Sequence, residues 1–365
     1  MKYHAIVLCA FLCRISEASK ADVLASLRAQ KISEEAQRLS GESLVEYLNK
    51  NQNLFEESHS SLNLLTKVEI ISFLQAAITP ASHGYKHKLM DLKFIGQKGN
   101  IVVEDEKDFG DDIPESFDGR VHWANCSSLW YIPDQANCGS CWAVASAAAM
   151  SDRLCIASKG AKQVHLSAND ILSCCEDCGQ GCRGGLAIEA WNFLIDNGVV
   201  TGGDYGSKDC CRPYPLHPCG HHGNDTYYGE CDGTASTPKC KKRCQSGYRK
   251  SYTMDKFYGK YAYQLPNSVI AIQKEIMKNG PVVGSFTVFE DFSLYVKGIY
   301  KHTGGKIDGA HSVKIIGWGK EGHTPYWIIA NSWNDDWGEN GYFRMIRGNN
   351  ECGIEDTVIA GIVRA

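Results

Sequence analysis

The cysteines of this chain are crowded into one region. Fourteen of the 17 cysteines lie between Cys126 and Cys244, and none lies between about residue 19 and residue 112. Disulfides form and persist in oxidising compartments, where they staple loop-rich folds by restricting the unfolded chain. We therefore expect the 365 residues to divide into a cysteine-free first part and a bridged second part.

The N-terminus predicts entry into the secretory pathway. Lys2 precedes the apolar run from Ala5 to Leu12, and small residues follow around Ala18. This pattern is typical of a signal peptide, here residues 1–18, and the run is too short to span a bilayer. No later stretch approaches the roughly 20 apolar residues of a membrane helix. We expect a lysosomal or secreted protein without a membrane partner.

The remaining composition narrows the function further. A formal net charge of -4 gives no basic excess, so we expect no nucleic acid partner. A hydrophobic content of 43% is enough for a buried core. Two of the cysteines, Cys9 and Cys13, fall inside the signal peptide, so an odd number remains. At least one thiol must then stay free, as a nucleophile requires.

The order of sequence patterns predicts an α+β fold. The stretch from Glu42 to Lys50 has helical spacing, and the acidic run 105–112 is typical of an exposed linker that a protease can cut. After Ile113 the sequence is helical and loop-rich, and from about Val282 it becomes rich in β-branched and aromatic residues. A helical half followed by a sheet half predicts a cleft between the two.

One cysteine stands directly before a predicted buried helix. Cys141 is followed by Trp142 and by the apolar stretch from Ala143 to Met150. Unpaired N–H groups and the dipole at a helix N-terminus favour a thiolate, and a nearby imidazolium would lower the cysteine pKa from ~8.5 to roughly 3.5–7.5. A thiolate attacks carbonyl carbons. Cys141 is therefore the candidate nucleophile.

Three further residues complete a possible catalytic group. His311 opens one predicted strand and Asn331 follows another, so Asn331 could orient the imidazole that meets Cys141, with Trp333 shielding their hydrogen bond. Gln135 offers an amide donor that, with the Cys141 N–H, could form an oxyanion hole. Taken singly, His311 could be a structural histidine, Asn331 a turn residue and Cys141 half of a disulfide. Their joint occurrence favours catalysis.

These residues, together with the string from Cys138 to Trp142, resemble the papain-like cysteine peptidases and, within them, cathepsin B. The resemblance runs from about Leu39 to the end, with a propeptide-like stretch through Asn51 and a mature-like start at Ile113. It implies a papain-like fold with a helical left domain and a β-barrel-like right domain. It also implies an inhibitory propeptide at 19–112 and a mature peptidase domain at 113–365, which is made as a zymogen and acts on proteins and peptides.

The separation of Cys141 and His311 exceeds the usual papain spacing of roughly 130–150 residues, so an insertion is required. Residues 219–231 resemble the occluding loop of cathepsin B. In the family, this loop fills one side of the cleft, and its two histidines, here His221 and His222, receive a substrate's C-terminal carboxylate. The resemblance implies peptidyl-dipeptidase activity beside endopeptidase activity. Paired histidines also suggest zinc, but the spacing of zinc peptidases is missing, so we expect no metal and no cofactor.

Departures from the family predict the enzyme's behaviour. The resemblance implies an ion pair between Asp134 and His221, while the loop lacks the arginine that would pair with Asp336. We therefore expect a loop that opens readily, with more endopeptidase activity near neutral pH. Thr357 replaces the family's glutamate at the floor of the S2 pocket, which predicts an apolar P2 residue over arginine. The resemblance also assigns Gly184 and Gly185 to substrate binding, together with Trp333 and Thr357.

The resemblance further implies six disulfides and several partners. It leaves the state of Cys210 and Cys352 open, and it makes cystatin-like inhibitors and the chain's own propeptide expected partners. Asn224 begins a glycosylation sequon on a predicted surface loop. The alternative function is a catalytically inactive, disulfide-rich binding protein, against which the intact catalytic residues argue. The implied bridges are Cys126–Cys155, Cys138–Cys182, Cys174–Cys240, Cys175–Cys178, Cys211–Cys244 and Cys219–Cys231.

Overall fold

The structure, a computed structural model, describes residues 29, 31–52, 54–57, 85–97, 113–223 and 225–365. The predicted signal peptide, the acidic run 105–112 and Asn224 of the predicted sequon lie outside the described residues, as do the other parts of the predicted propeptide. None of the helices in the described ranges has the length and apolar character needed to cross a bilayer.

Helices and strands follow one another in the order that the sequence patterns predict. The helices are α1 (Gly41–Asn51), α2 (Gly119–His122), α3 (Cys141–Ala157), α4 (Ala168–Cys174), α5 (Ala187–Asp196), α6 (Val269–Asn279) and α7 (Glu290–Ser293). The strands are β1 (Phe55–Glu57), β2 (Phe117–Asp118), β3 (Gly259–Gln264), β4 (Val282–Phe289), β5 (Tyr295–Tyr300), β6 (Ile307–Glu321), β7 (Thr324–Ala330), β8 (Tyr342–Ile346) and β9 (Val358–Val363).

Helix α3 is the centre of the helical half. It is 17 residues long, rich in alanine and buried along nearly its whole length. Alanine is the best helix former, and a helix that is apolar on all sides belongs inside a core. Its first residue is Cys141. The burial of α3 therefore fixes the candidate nucleophile at a rigid helix N-terminus.

The fold is α+β, as predicted, and its β-sheet is open at both edges. The strand order is β1-β5-β8-β7-β6-β4-β9-β3, with β2 paired to β6, and only β5 and β8 run parallel. In the described residues the edge strands β1 and β3 do not pair with each other, so our expectation of a β-barrel-like right domain is wrong. One edge strand comes from the N-terminal part, and β3 at the other edge lies against α5, where Gly259 approaches Ile195.

Buried ion pairs join the two halves. Lys314 on β6 lies 2.7 Å from Asp152 on α3, and Arg153 on α3 lies 2.8 Å from Glu275 on α6. All four side chains are at most 3% exposed. Loss of one partner from such a pair leaves an uncompensated buried charge and costs about 3–5 kcal/mol. The first pair therefore holds the helix of Cys141 against the strand of His311, and the second holds it against α6.

Six disulfides staple the second part of the chain. The pairs are those that the resemblance implies, and five of the six close loops of 12 or more residues. The exception, Cys175–Cys178, has a separation of 3. Cys210 and Cys352, whose state the sequence left open, form no disulfide, and neither does Cys141.

The described N-terminal pieces pack on the sheet half. Helix α1 buries Leu44, Val45 and Leu48 on one face, and Leu44 contacts the backbone near Gly304. The Gly305 N–H donates to the Ala36 carbonyl (2.9 Å), and β1 pairs antiparallel with β5. The first part of the chain is thus bound to the second by apolar contacts and by backbone hydrogen bonds.

Candidate active site

Residues 85–97, which we call the covering segment, lie across the cleft between the two halves. Met90 exchanges two backbone hydrogen bonds with Ala310 on β6 (2.8 and 3.0 Å). The Asp91 N–H donates to the carbonyl of Arg183, on the wall of the helical half (2.9 Å). Because the segment bonds to both walls, it occupies the space in which an extended peptide would bind.

Cys141 is fully buried beneath this cover. Its Sγ accepts a hydrogen bond from the Ser312 N–H at 3.3 Å. Burial raises the pKa of the thiol to about 12, against the smaller lowering effect of the N–H groups of Ser312, Trp142 and Cys141 itself. We expected a thiolate here, because the helix N-terminus favours one. In the covered state, exclusion of water outweighs that effect, and the thiol keeps its proton.

The neighbouring histidine is neutral for the same reason. Burial lowers the pKa of His311 to about 4, against the raising effect of its hydrogen bond to Asn331. His311 Nε2 lies 2.7 Å from Asn331 Oδ1, and the same oxygen accepts from the Ser332 N–H (2.8 Å). That second bond assigns the acceptor oxygen, so the proton lies on Nε2.

The assigned tautomer leaves His311 Nδ1 as a base. This nitrogen is buried and has no hydrogen-bond partner among the described residues. The ring of Trp333 lies 4.8 Å from the imidazole and is 1% exposed, so it separates the His311–Asn331 bond from solvent. The structure thus brings together one thiol, one oriented imidazole and its orienting amide.

Gln135 supplies a positioned amide donor. Its Nε2 donates to the Lys88 carbonyl (2.7 Å) and to the Cys138 carbonyl (2.8 Å), while its Oε1 accepts from Ser332 Oγ (2.6 Å). Because both ends of the amide are bonded, its orientation is fixed. The carbonyl of Lys88 therefore accepts the hydrogen bond that Gln135 Nε2 would give to an oxyanion.

Two supporting residues escaped the sequence analysis. Ser332 orients the Gln135 amide, and Tyr214 donates to the Gln135 carbonyl (2.8 Å) while its hydroxyl lies 2.7 Å from Ser140 Oγ. Ser332 follows the candidate catalytic residue Asn331 directly, and this position could have indicated that it lies in the site. Tyr214 is distant in sequence from all four candidate catalytic residues, and no sequence pattern indicated a role for it.

The loop 219–231 is held by His222. Its Nδ1 lies 3.0 Å from Asp336 Oδ1, and its Nε2 lies 3.4 Å from Asp134 Oδ2. The hydrogen bond to Asp336 is the first cause of a raised pKa for His222, while partial burial opposes it. His221 instead stacks on Tyr227, with ring centroids 4.1 Å apart.

Our expectation of an Asp134–His221 ion pair is therefore wrong, because His222 makes that contact. Asp336, for which the loop supplies no arginine, also pairs with His222. One imidazole serves both carboxylates through its two nitrogens, and the neighbouring ring packs on an aromatic side chain. Asp134 has a third charged neighbour, because Lys88 of the covering segment lies 3.3 Å from its Oδ1.

Two glycines shape the wall next to Cys141. A Cβ at Gly185 would lie 2.6 Å from the Cys178 carbonyl and 2.7 Å from the Trp142 ring, and one at Gly184, where φ is +127°, would collide with Phe94 and Met90 of the covering segment. Only glycine lets a peptide approach this closely. Thr357 lies beside β4, with its carbonyl accepting from the Ser285 N–H (3.3 Å).

Within the described ranges, no group of three or more His, Cys, Asp or Glu side chains is placed to hold a metal ion.

Comparisons with known proteins agree with the geometry. Residues 113–362 match the family model described as papain family cysteine protease. Cathepsin B-like cysteine proteinase 1 of Ostertagia ostertagi is 58% identical, with 100% of each chain covered. The gut-specific cysteine proteinase of Caenorhabditis elegans is 43% identical over 88% of this chain and 91% of its own.

A solved structure is similar over the same extent. It is that of proCathepsin B S9 from Trypanosoma congolense, with a TM-score of 0.71, 31% identity, and coverage of 89% of this chain and 98% of that one. The model match covers more than half of the chain, and the relatives match the first part as well as the second. The chain belongs to the papain family of cysteine proteases, among the cathepsin B-like proteinases.

Proposed function

We propose that this cysteine peptidase hydrolyses peptide bonds through Cys141, with His311 as general base and acid, and that it is made as a zymogen. The observation that carries the proposal is the peptide carbonyl of Lys88 on the Gln135 amide, in a cleft that also contains Cys141 and His311. A substrate carbonyl in the same place would meet a nucleophile, a base and an oxyanion donor.

The acylation step follows from these positions. When water enters the uncovered cleft, the proton of Cys141 moves to His311 Nδ1, and both groups become charged. The thiolate attacks the substrate carbonyl carbon, and the resulting oxyanion accepts hydrogen bonds from Gln135 Nε2 and the Cys141 N–H. His311 then gives its proton to the leaving amine, and a thioester remains on Cys141.

Deacylation uses the same residues in reverse. His311 takes a proton from water, the hydroxide attacks the thioester carbonyl, and the acid product leaves as the proton returns to the sulfur. Asn331 keeps His311 Nε2 protonated and Nδ1 available throughout. The loss of one oxyanion donor such as Gln135 is expected to lower kcat by about 10²–10³.

We further propose that residues 19–112 form the inhibitory propeptide, cut near Asp112. The support is the covering segment, whose backbone bonds to Ala310 and Arg183 and whose Lys88 bonds to both Gln135 and Asp134. A peptide held on both walls excludes substrate from Cys141.

The loop 219–231 supports peptidyl-dipeptidase activity beside endopeptidase activity. His222 fastens it to Asp134 and Asp336, which both lie close to Trp333. Asp134 forms a backbone bridge with Trp333, and Asp336 follows Trp333 by three residues in the sequence. A loop in that place would limit the length of peptide beyond the scissile bond, and a protonated histidine there would suit a C-terminal carboxylate. Protein and peptide substrates and cystatin-like inhibitors are the proposed partners.

The proposed location is the lysosome or the exterior, reached through the secretory pathway. The printed name of the Caenorhabditis elegans relative associates that protein with the gut. A digestive role for this chain is consistent with that name and with the predicted signal peptide.

Labelling by an epoxide that reacts only with activated thiolates tests the catalytic assignment. We expect one label on Cys141 after removal of residues 1–112, little label on the covered full chain, and none on a His311→Ala variant. A Cys210→Ser variant is the matched control and should label like the unchanged enzyme. A folded, processed enzyme that takes no label at Cys141 would contradict the mechanism.

A further inference from the structure

The cleft contains a buried acidic side chain for which the proposed mechanism has no use. Asp308 lies on β6, three residues before His311, and its side chain is 6% exposed. Its Oδ1 lies 3.0 Å from Nζ of Lys86 in the covering segment, and Glu290 Oε1 lies 3.9 Å from the same ammonium. This is the one ion pair that Asp308 makes in the described part of the chain.

The covering segment shows which side of the cleft Asp308 belongs to. Starting from the Lys88 carbonyl at Gln135, the chain runs one way to Asp91 and the wall at Arg183. In the other direction it runs to Lys86 and to Tyr85, whose ring lies 4.9 Å from that of Trp333. Asp308 therefore lies on the Trp333 side of the oxyanion donor.

That side receives the leaving peptide. The loop 219–231 is fastened there through His222 to Asp134 and Asp336. In the proposed mechanism, His311 protonates the amine of the first residue after the scissile bond. Because Asp308 meets Lys86 on this same side of the oxyanion donor, we expect the side chain of that first residue to lie nearest its carboxylate.

We propose that Asp308 selects a lysine or arginine as the first residue of the leaving peptide. The inference deepens the proposed peptidase function and rests on it. When the covering segment leaves, Asp308 loses the Lys86 ammonium and is left as an unpaired carboxylate on the wall of the cleft. A carboxylate in such surroundings interacts favourably with a cation that replaces the lost partner.

Lys86 acts as a stand-in for the substrate side chain. The hydrogen bond to Asp308 is the main cause of a raised pKa for Lys86, so this lysine stays charged in the covered state. Its side chain is 51% exposed, so the pair with Asp308 is only partly shielded from water. Two other acids lie near the segment. Glu290 is farther from the Lys86 ammonium, at 3.9 Å, and Asp134 is already held by His222 and is less available to a substrate.

The expected preference is moderate, because one partner is half in water. Exposed and half-exposed ion pairs correspond to about a two- to fivefold change in kcat/KM for a basic residue over a neutral one of the same shape. The preference should decrease as salt rises, since screening weakens a pair that solvent can reach.

Three internally quenched peptides test the inference on the processed enzyme. They differ only in the first residue after the scissile bond, which is lysine, norleucine or glutamate. We expect the lysine peptide to be cut two- to fivefold faster than the norleucine peptide, and the glutamate peptide to be the slowest. Asp308→Asn should reduce the lysine preference to about one. Glu115→Gln, which removes a carboxylate that pairs with Lys320 away from the cleft, is the matched control and should keep it.

A charge reversal guards against a variant that is merely damaged. Asp308→Lys should favour the glutamate peptide over the lysine peptide, and thermal unfolding should show that each variant is folded. An unchanged lysine preference in folded Asp308→Asn would overturn the inference. Turnover of the norleucine peptide by the unchanged enzyme separates a failure of the proposed function from a failure of this inference. No turnover would contradict the peptidase mechanism. Turnover without a preference for lysine would contradict only the role of Asp308.

Discussion

The contact of His222 with two carboxylates predicts a pH-dependent change in how substrates are cut. The perturbation is His222→Gln, which keeps a polar side chain but removes the positive charge shared between Asp134 and Asp336. In the unchanged protein the pKa of His222 is raised above its ordinary value of 6.5. The stabilisation is therefore fully present below about pH 6.5 and is lost as the pH rises through the raised pKa.

The size of the effect follows from exposure. The Asp336 side chain is 37% exposed, so its pair with His222 is worth about 1 kcal/mol or less, and the 3.4 Å contact with the buried Asp134 adds a similar amount. A total of about 1–2 kcal/mol corresponds to a five- to thirtyfold change in the ratio of fastened to released loop.

The assay compares a blocked, internally quenched peptide with a dipeptide-release substrate between about pH 5 and about pH 8, where histidine changes charge. The ratio of endopeptidase to dipeptidase activity should rise with pH in the unchanged enzyme and should be high and nearly flat in His222→Gln. His221→Gln is the matched control, because His221 stacks on Tyr227 and makes neither carboxylate contact. Equal pH profiles for His222→Gln and the unchanged enzyme would refute the reasoning.

Two further predictions concern the pocket and the propeptide. With Thr357 in place of an acid, a P2 phenylalanine substrate should be cut faster than a P2 arginine one, and Thr357→Glu should narrow that gap in kcat/KM; faster turnover of P2 arginine by the unchanged enzyme would contradict this. Isolated residues 19–112 should inhibit the processed enzyme. Lys88→Gln should weaken that inhibition by about two- to tenfold only, because Asp134 loses Lys88 but keeps His222 as a charged partner. The absence of any inhibition would remove the propeptide proposal.

The residues that carry chemistry were accessible to sequence analysis because their types and order are constrained. Cys141 before an apolar helix and Asn331 after a strand follow from helix and strand patterns. The prediction that His311 opens a strand is wrong, because β6 begins at Ile307 and His311 lies inside it. The disulfide pairing is different, since spacing alone leaves many pairings open and only the resemblance selected one.

What sequence analysis missed depends on side-chain directions and on distant contacts. His221 and His222 are adjacent and chemically identical, so only the packing of Tyr227 and the positions of the two carboxylates decide which histidine holds the loop. The open sheet depends on how β3 meets α5. Tyr214 supports Gln135 across 79 positions, a distance at which no local pattern applies.

The burial of Cys141 has a consequence for how the six disulfides persist. Thiol–disulfide exchange and oxidation both require a thiolate, and a pKa of about 12 leaves almost none at the pH of the secretory pathway. In the covered, folded chain Cys141 is therefore a poor nucleophile towards the six bridges and a poor target for oxidation. In the proposed zymogen, the covering segment would protect the sulfur as well as fill the cleft, and its removal would expose Cys141 to substrate and to oxidants together.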